Sequence, residues 1–238
     1  IDPYLVNAAG LYHVQLEDVT KDQRQRGKVM ELALGFLGGA GALQSMGRGY
    51  GLILGDDEAE RLRDVWRSLN PWAMAYGKEL ERAAMSAVLH PGGWFEAGRV
   101  AYGCNGDWLW CRLPSTRLIA YYQPKLEGKM TPWGDEVTTI TASAGGRVKT
   151  KVGTWRRLAL WPGMLLENIT QATAADLLRE SLLACEDDGV PVVLHVHDEI
   201  VSLGDCREQL HAIMTEERSW AAGLPLAAEA GGGMRYGK

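Results

Sequence analysis

Two adjacent carboxylates, Asp198 and Glu199, interrupt the apolar run from Val190 to Val201. The run is rich in β-branched residues and reads as a strand, a tight reversal and a second strand. An ionised carboxylate is costly to desolvate. A pair of them in such a hairpin therefore points into water at the tip or meets a cation there. Hard carboxylate oxygens suit Mg²⁺, which is usually held by one or two carboxylates together with substrate phosphates. A solvated acidic turn and a site for metal-assisted phosphate chemistry both follow from this segment alone.

The rest of the chain must be able to support such a site. Its 238 residues suffice for one large domain or two small ones. Hydrophobic residues make up 46% and charged residues 23%, ordinary for a globular protein. The net charge of -5 argues against a general nucleic-acid coat, so phosphate contacts must come from local basic patches. No apolar stretch is long enough to cross a bilayer, and no leader of the secretory type is expected. A cytoplasmic location follows as the expectation. Cys104, Cys111, Cys185 and Cys206 form no Cys-x-x-Cys pair, so free thiols are expected. A metal site from His90, Cys104 and Cys111 matches none of the usual ligand spacings.

Hydrophobic periodicity predicts helices over Lys21 to about Phe36, Asp56 to Trp66 and Pro71 to Leu89. Gly35, Gly38, Gly39 and Gly41 break the first of them. Asn70-Pro71 places a proline where a helix can begin. From Gly92 to Pro162, aromatic and β-branched residues alternate with turn clusters, which predicts short antiparallel strands. Helix returns from Glu167 to Glu186, the hairpin follows, and Cys206 to Trp220 reads as a last helix. This order predicts an α+β chain in two parts, residues 1–160 and 161–238.

Arg24, Lys28, Leu32 and Phe36 recur every four residues. Four residues turn a helix by about 400°, so the first three share a slowly drifting face. Cations one turn apart make a two-point clamp for a polyphosphate, and the aromatic beyond them offers a flat surface to a base. A solvated basic face with Phe36 in the core accounts for the same spacing.

Together these segments resemble the family A DNA polymerases, meaning bacterial DNA polymerase I and its phage relatives. Arg24 to Gly39 resembles the fingers helix of that family. Gln171-Ala-Thr-Ala-Ala-Asp176 resembles the palm helix before the metal hairpin, and Val196-His-Asp-Glu-Ile-Val201 its third motif. Leu113-Pro-Ser-Thr-Arg117 and Trp161 to Asn168 are similar to the phage branch. The resemblance implies template-directed nucleotidyl transfer to a primer 3′ end with a two-metal Mg²⁺ site. Residues 1–160 would be a fingers-like region with inserted strands, and residues 161–238 the C-terminal part of the palm. Arg24 and Lys28 would hold the incoming dNTP, with Lys28 also protonating the leaving pyrophosphate. Phe36 would sit by the nascent base pair. Gln171 and His197 would touch the primer-template, Asp198 would bind the metals and Glu199 would support that site. The implied partners are DNA primer-template, dNTP and the upstream part of a polymerase.

The sequence also departs from the family. Leu32 and Phe36 stand where the bacterial enzymes have phenylalanine and tyrosine. The first family motif, which carries the other metal-binding aspartate, is expected upstream of Ile1. The sequence context of Asp2 matches the segment after that motif, so Asp2 is not a substitute. On this reading the chain alone is inactive.

Arg147, Lys149 and Lys151 alternate onto one face of a strand, a basic ribbon suited to a nucleic-acid backbone or a solvated edge. His195 and His197 likewise alternate, without the further histidines that a zinc hydrolase needs. Two other functions stay open: an inert nucleic-acid or nucleotide-binding module, and an unrelated Mg²⁺-dependent phosphohydrolase.

Overall fold

Asp2 opens the first helix, α1 (Pro3–Tyr12), by accepting a hydrogen bond from the Tyr4 amide at 2.8 Å. That bond satisfies one of the orphan donors of the first turn. Thr20 and Gln23 form a reciprocal capping box at the start of α2 (Lys21–Leu34). Three helices follow: α3 (Ala40–Gly49), α4 (Asp56–Leu69) and α5 (Pro71–Leu89). Asp56, Asp57 and Glu58 in the first turn of α4 and Arg67 in its last complement the helix dipole.

The computed structural model describes residues 2–130, 134, 136–144 and 156–236. They fall into two compact units. The first comprises Ile1–Trp110 and Ala120–Glu167, and the second comprises Cys111–Ile119 and Asn168–Lys238.

In the first unit α1 packs closely on α2 because Gly27 has no side chain. A Cβ there would run into the carbonyl oxygen of Tyr4. Behind this contact the α4 residue Trp66 is 1% exposed and donates its indole N–H to Glu31 of α2 at 3.0 Å. The Asn7 amide of α1 donates to the same carboxylate oxygen at 2.6 Å. One carboxylate thus ties three helices together.

The strands run β1 (Trp94–Ala97), β2 (Val100–Cys104), β3 (Trp108–Arg112), β4 (Leu118–Met130), β5 (Glu136–Ala144) and β6 (Arg156–Ala159). They lie in one sheet in chain order, the economical solution for strands joined by short turns. The β1–β2, β4–β5 and β5–β6 pairs are antiparallel. β2 is buried along its whole length. A register shift between Tyr122 and Lys125 bends β4, with Gln123 at φ 48°.

Helix α6 (Pro162–Asp187) leads into the second unit, which also holds β7 (Val192–Val196), β8 (Glu199–Ser202) and α7 (Arg207–Thr215). Its core joins Cys185 of α6, Val190, Ile200 of β8 and Ile213 of α7. Burial pushes the Cys185 thiol above its ordinary range. All four cysteines are free.

The architecture is the expected α+β mixture of helices and antiparallel strands. Three boundaries differ. α2 ends at Leu34, because Leu37 adopts φ 60° and turns the chain, so Phe36 lies beyond the helix. α6 begins at Pro162 and not at Glu167, since proline suits a first helical turn. The helix expected over Cys206 to Trp220 stops at Thr215. There the Arg218 guanidinium donates to the Ile213 carbonyl at 3.2 Å, and only a 3₁₀ turn, Ser219–Ala221, follows. The glycines after α2 do break it, yet Gly39 then serves as the N-cap of α3.

Candidate functional site

In the first unit the candidate residues cluster on α2. Arg24 and Lys28 are half-buried, one turn apart, and Gly27 lies between them on the α1 side. Each cation lies over an aromatic ring, Arg24 over Tyr4 at 5.2 Å and Lys28 over Tyr50 at 5.3 Å. Such placement holds a long side chain by cation–π attraction. Arg24 also donates through Nε at 2.8 Å and Nη2 at 2.7 Å to one oxygen of Asp2. Arg26 pairs with Glu58 at 3.0 Å. Leu32 is exposed on the helix. Phe36 is half-buried in the turn after it, so the four-residue spacing continues past the helix that would give it a common face.

Two opposed effects act on Asp2. Desolvation pushes its carboxyl up, but the Arg24 guanidinium and the Tyr4 amide favour the charged form, and the result lies below the ordinary carboxylate value. A carboxyl lowered in the folded state stabilises above its unfolded pKa and loses that contribution as pH falls through the folded one. Asp2→Asn keeps a competent N-cap and removes the ion pair. Its stability deficit is expected to be at most about 1 kcal/mol near neutral pH, since the pair is partly exposed. The deficit should begin to shrink as pH drops below about 4 and vanish once pH falls below the lowered folded-state value. Thermal melts of both proteins across that range check this; a deficit that persists in acid would assign it to the cap instead.

The second unit holds the carboxylate hairpin. β7 and β8 pair antiparallel, with Val196 opposite Glu199, so His197 and Asp198 form a two-residue turn. His197 takes φ 54°. Asp198 is exposed at the tip, Glu199 is half-buried, and the Tyr236 hydroxyl donates to Glu199 at 3.4 Å. His195 stays on β7, whereas His197 sits in the turn, so the two histidines do not alternate along one strand as expected. The packing of Ile200 on Cys185 ties the hairpin to α6, which presents Gln171 exposed.

Sequence reasoning assigned no role to a network in this unit. Asp176, on α6, is fully buried. It accepts from the Ser115 hydroxyl and from Nε of Arg117, and it pairs with Arg179 at 3.2 Å. Arg117 also donates to the Ala172 carbonyl at 2.8 Å. The available signal was an aspartate on the buried side of a helix, a position that demands a partner.

Arg147, Lys149 and Lys151 lie outside the described residues. His90 bonds the Ser86 carbonyl through Nδ1 at 3.0 Å, while Cys104 and Cys111 are buried. Among the described residues no group of three or more His, Cys, Asp or Glu side chains could hold a metal by itself. Asp198 and Glu199 are thus a partial donor set. It fits Mg²⁺, whose remaining positions are taken by water and substrate oxygens.

An exposed carboxylate turn and a pair of cations one turn apart are, each taken by itself, groups of the kind that phosphoryl chemistry employs. The DNA polymerase of Bacillus phage SP02 is 38% identical over 233 residues, covering 95% of this chain. The chain is thus similar to a phage DNA polymerase along nearly its whole length, as the motifs imply. It spans 35% of the length of that relative. A solved structure, the polymerase domain of Pol1 from M. smegmatis in complex with DNA primer-template and dNTP, matches 97% of this chain and 33% of its own. The identity is 16% and the TM-score 0.49. No protein-family model matches the chain.

Proposed function

We propose that this chain is the nucleotide-binding and metal-binding part of a template-directed DNA polymerase, acting in the cytoplasm of a bacterial or phage-infected cell. The observation that carries the reading is the 38% identity to a phage DNA polymerase over nearly the whole chain. Among the described residues no helix is long and apolar enough to cross a membrane.

Residues 1–160 would act as fingers and residues 161–238 as part of the palm. Arg24 and Lys28 would grip the triphosphate. The Nε and Nη2 side of Arg24 is turned to Asp2, so Nη1 would be its phosphate-facing donor. Lys28 would also act as the acid that protonates the departing pyrophosphate. Phe36 would pack by the new base pair, and Gln171 and His197 would contact the primer-template. Asp198 would hold Mg²⁺ with Glu199 in support, and the metal would supply stabilisation of charge at the reacting phosphate.

The hydrolase reading needs acidic residues of this chain to converge on Asp198, and no such group occurs among the described residues. The inert-module reading is separated from the polymerase one by a chimera. In it, this chain replaces the matching segment of the phage SP02 polymerase. With Mg²⁺, primer-template and labelled dNTP, the chimera is expected to extend the primer. The 238-residue chain alone is expected to bind DNA in a salt-sensitive way without extension, because its own ligands form only part of the metal site. A chimera that folds and binds DNA but never extends would favour the inert module.

A further inference from the structure

The Asp176 network contains more positive charge than a buried carboxylate requires. Desolvating one carboxylate calls for one cation and for hydrogen bonds to both oxygens. Arg117 supplies the cation and binds Oδ1, and the Ser115 hydroxyl satisfies Oδ2. The acid is then fully partnered. Arg179, one turn further along α6, adds a second guanidinium at 3.2 Å on Oδ1. The cluster carries two positive charges against one negative charge.

The exposure of these groups is lopsided. The Asp176 side chain is 1% exposed, while Arg117 is 34% and Arg179 52% exposed. The carboxylate is a sealed base and the guanidiniums are its outward edge. Among the described residues, Arg117 uses Nε and Nη2, and Arg179 pairs with Asp176 alone. Among the described residues, no further partner takes the remaining N–H donors of either arginine. Two guanidinium planes fixed from behind by a common carboxylate have already lost much of the rotamer freedom that phosphate binding would otherwise cost. Arg179 stands about two helical turns from Gln171 on the same helix.

We propose that Arg117 and Arg179, oriented by buried Asp176, form a contact for a backbone phosphate of nucleic acid. The inference rests on the polymerase reading and adds to it a binding point outside the cationic helix and the hairpin. A phosphate there completes the donors of both arginines and neutralises the excess charge. Such a contact sets the position of the strand and carries no base specificity.

The test is binding of a fluorescein-labelled primer-template to the 238-residue chain, without divalent metal, from about 50 to 200 mM salt. Each phosphate contact contributes about 0.9 to the slope of log K against log salt. Arg179→Gln is expected to lower that slope by about 0.9 with an unchanged melting midpoint, and Arg179→Lys to restore it. Arg117→Gln is expected to lower the slope similarly and also to lower the melting midpoint, because Arg117 anchors the loop. An unchanged slope in Arg179→Gln overturns the contact and leaves the network a structural staple. Weaker binding of free dATP by Arg179→Gln, with the DNA slope intact, overturns it in favour of a nucleotide site. A wild-type chain with no salt-dependent DNA binding overturns the polymerase reading itself and this inference with it.

Discussion

Asp198→Ala in the chimeric polymerase is expected to cut the rate of primer extension by at least about 10²–10³-fold, the usual cost of losing one preorganised electrostatic group at a reacting centre. DNA affinity should change by less than about twofold, because binding comes from distributed phosphate contacts. The geometry sharpens the expectation. Asp198 is exposed in a two-residue turn and has no partner among the described residues, so its removal leaves no buried group there unsatisfied. Asp198→Asn keeps the shape and the turn preference while removing the charge, and it should be nearly as inactive. Single-turnover extension together with a DNA-binding titration separates the outcomes. If Asp198→Ala extends at the wild-type rate, the metal assignment fails. If both binding and extension collapse, the turn has a structural role. Glu199→Ala should cost less, since Glu199 is half-buried and engaged by Tyr236.

The turn that carries Asp198 was legible because everything that makes it is local. A two-residue reversal between apolar strands declares itself within about a dozen residues. The same holds for α5, where Pro71 marks the start and the apolar periodicity runs to Leu89. Features set by contacts between distant segments were not legible. Gly27 reads as a weak point in a basic helix, and only the Tyr4 carbonyl explains why a side chain is excluded. Phe36 continues the four-residue spacing on paper, but the φ of 60° at Leu37 has already ended the helix. Asp176 looks like one more polar residue on a long helix. Its partner Arg117 is 59 residues away, and nothing in the local pattern joins them. For the same reason the four-residue spacing of Arg24 and Lys28 was visible, while the ion pair between Arg24 and Asp2 was not.

The largest stability effect is expected at Trp66, and it bears on the cationic helix. Trp66 is among the largest fully buried side chains, and its indole N–H meets Glu31, three residues beyond Lys28 on α2. Truncation removes a wide apolar surface and leaves a cavity between helices, for which Trp→Ala replacements cost about 3–5 kcal/mol. It also leaves Glu31 with the Asn7 amide but without the indole. Trp66→Phe keeps most of the packing and loses the hydrogen bond, so about 1–2 kcal/mol is expected. Urea unfolding of the 238-residue chain, followed by far-ultraviolet circular dichroism, measures both. Trp66→Ala should also raise the dNTP KM of the chimera, because α2 would lose the support that fixes Arg24 and Lys28. Trp66→Phe should leave it within a few-fold. If Trp66→Ala costs less than about 1 kcal/mol, α4 does not brace α2, and the placement of the two cations must depend on α1 and Tyr50 alone.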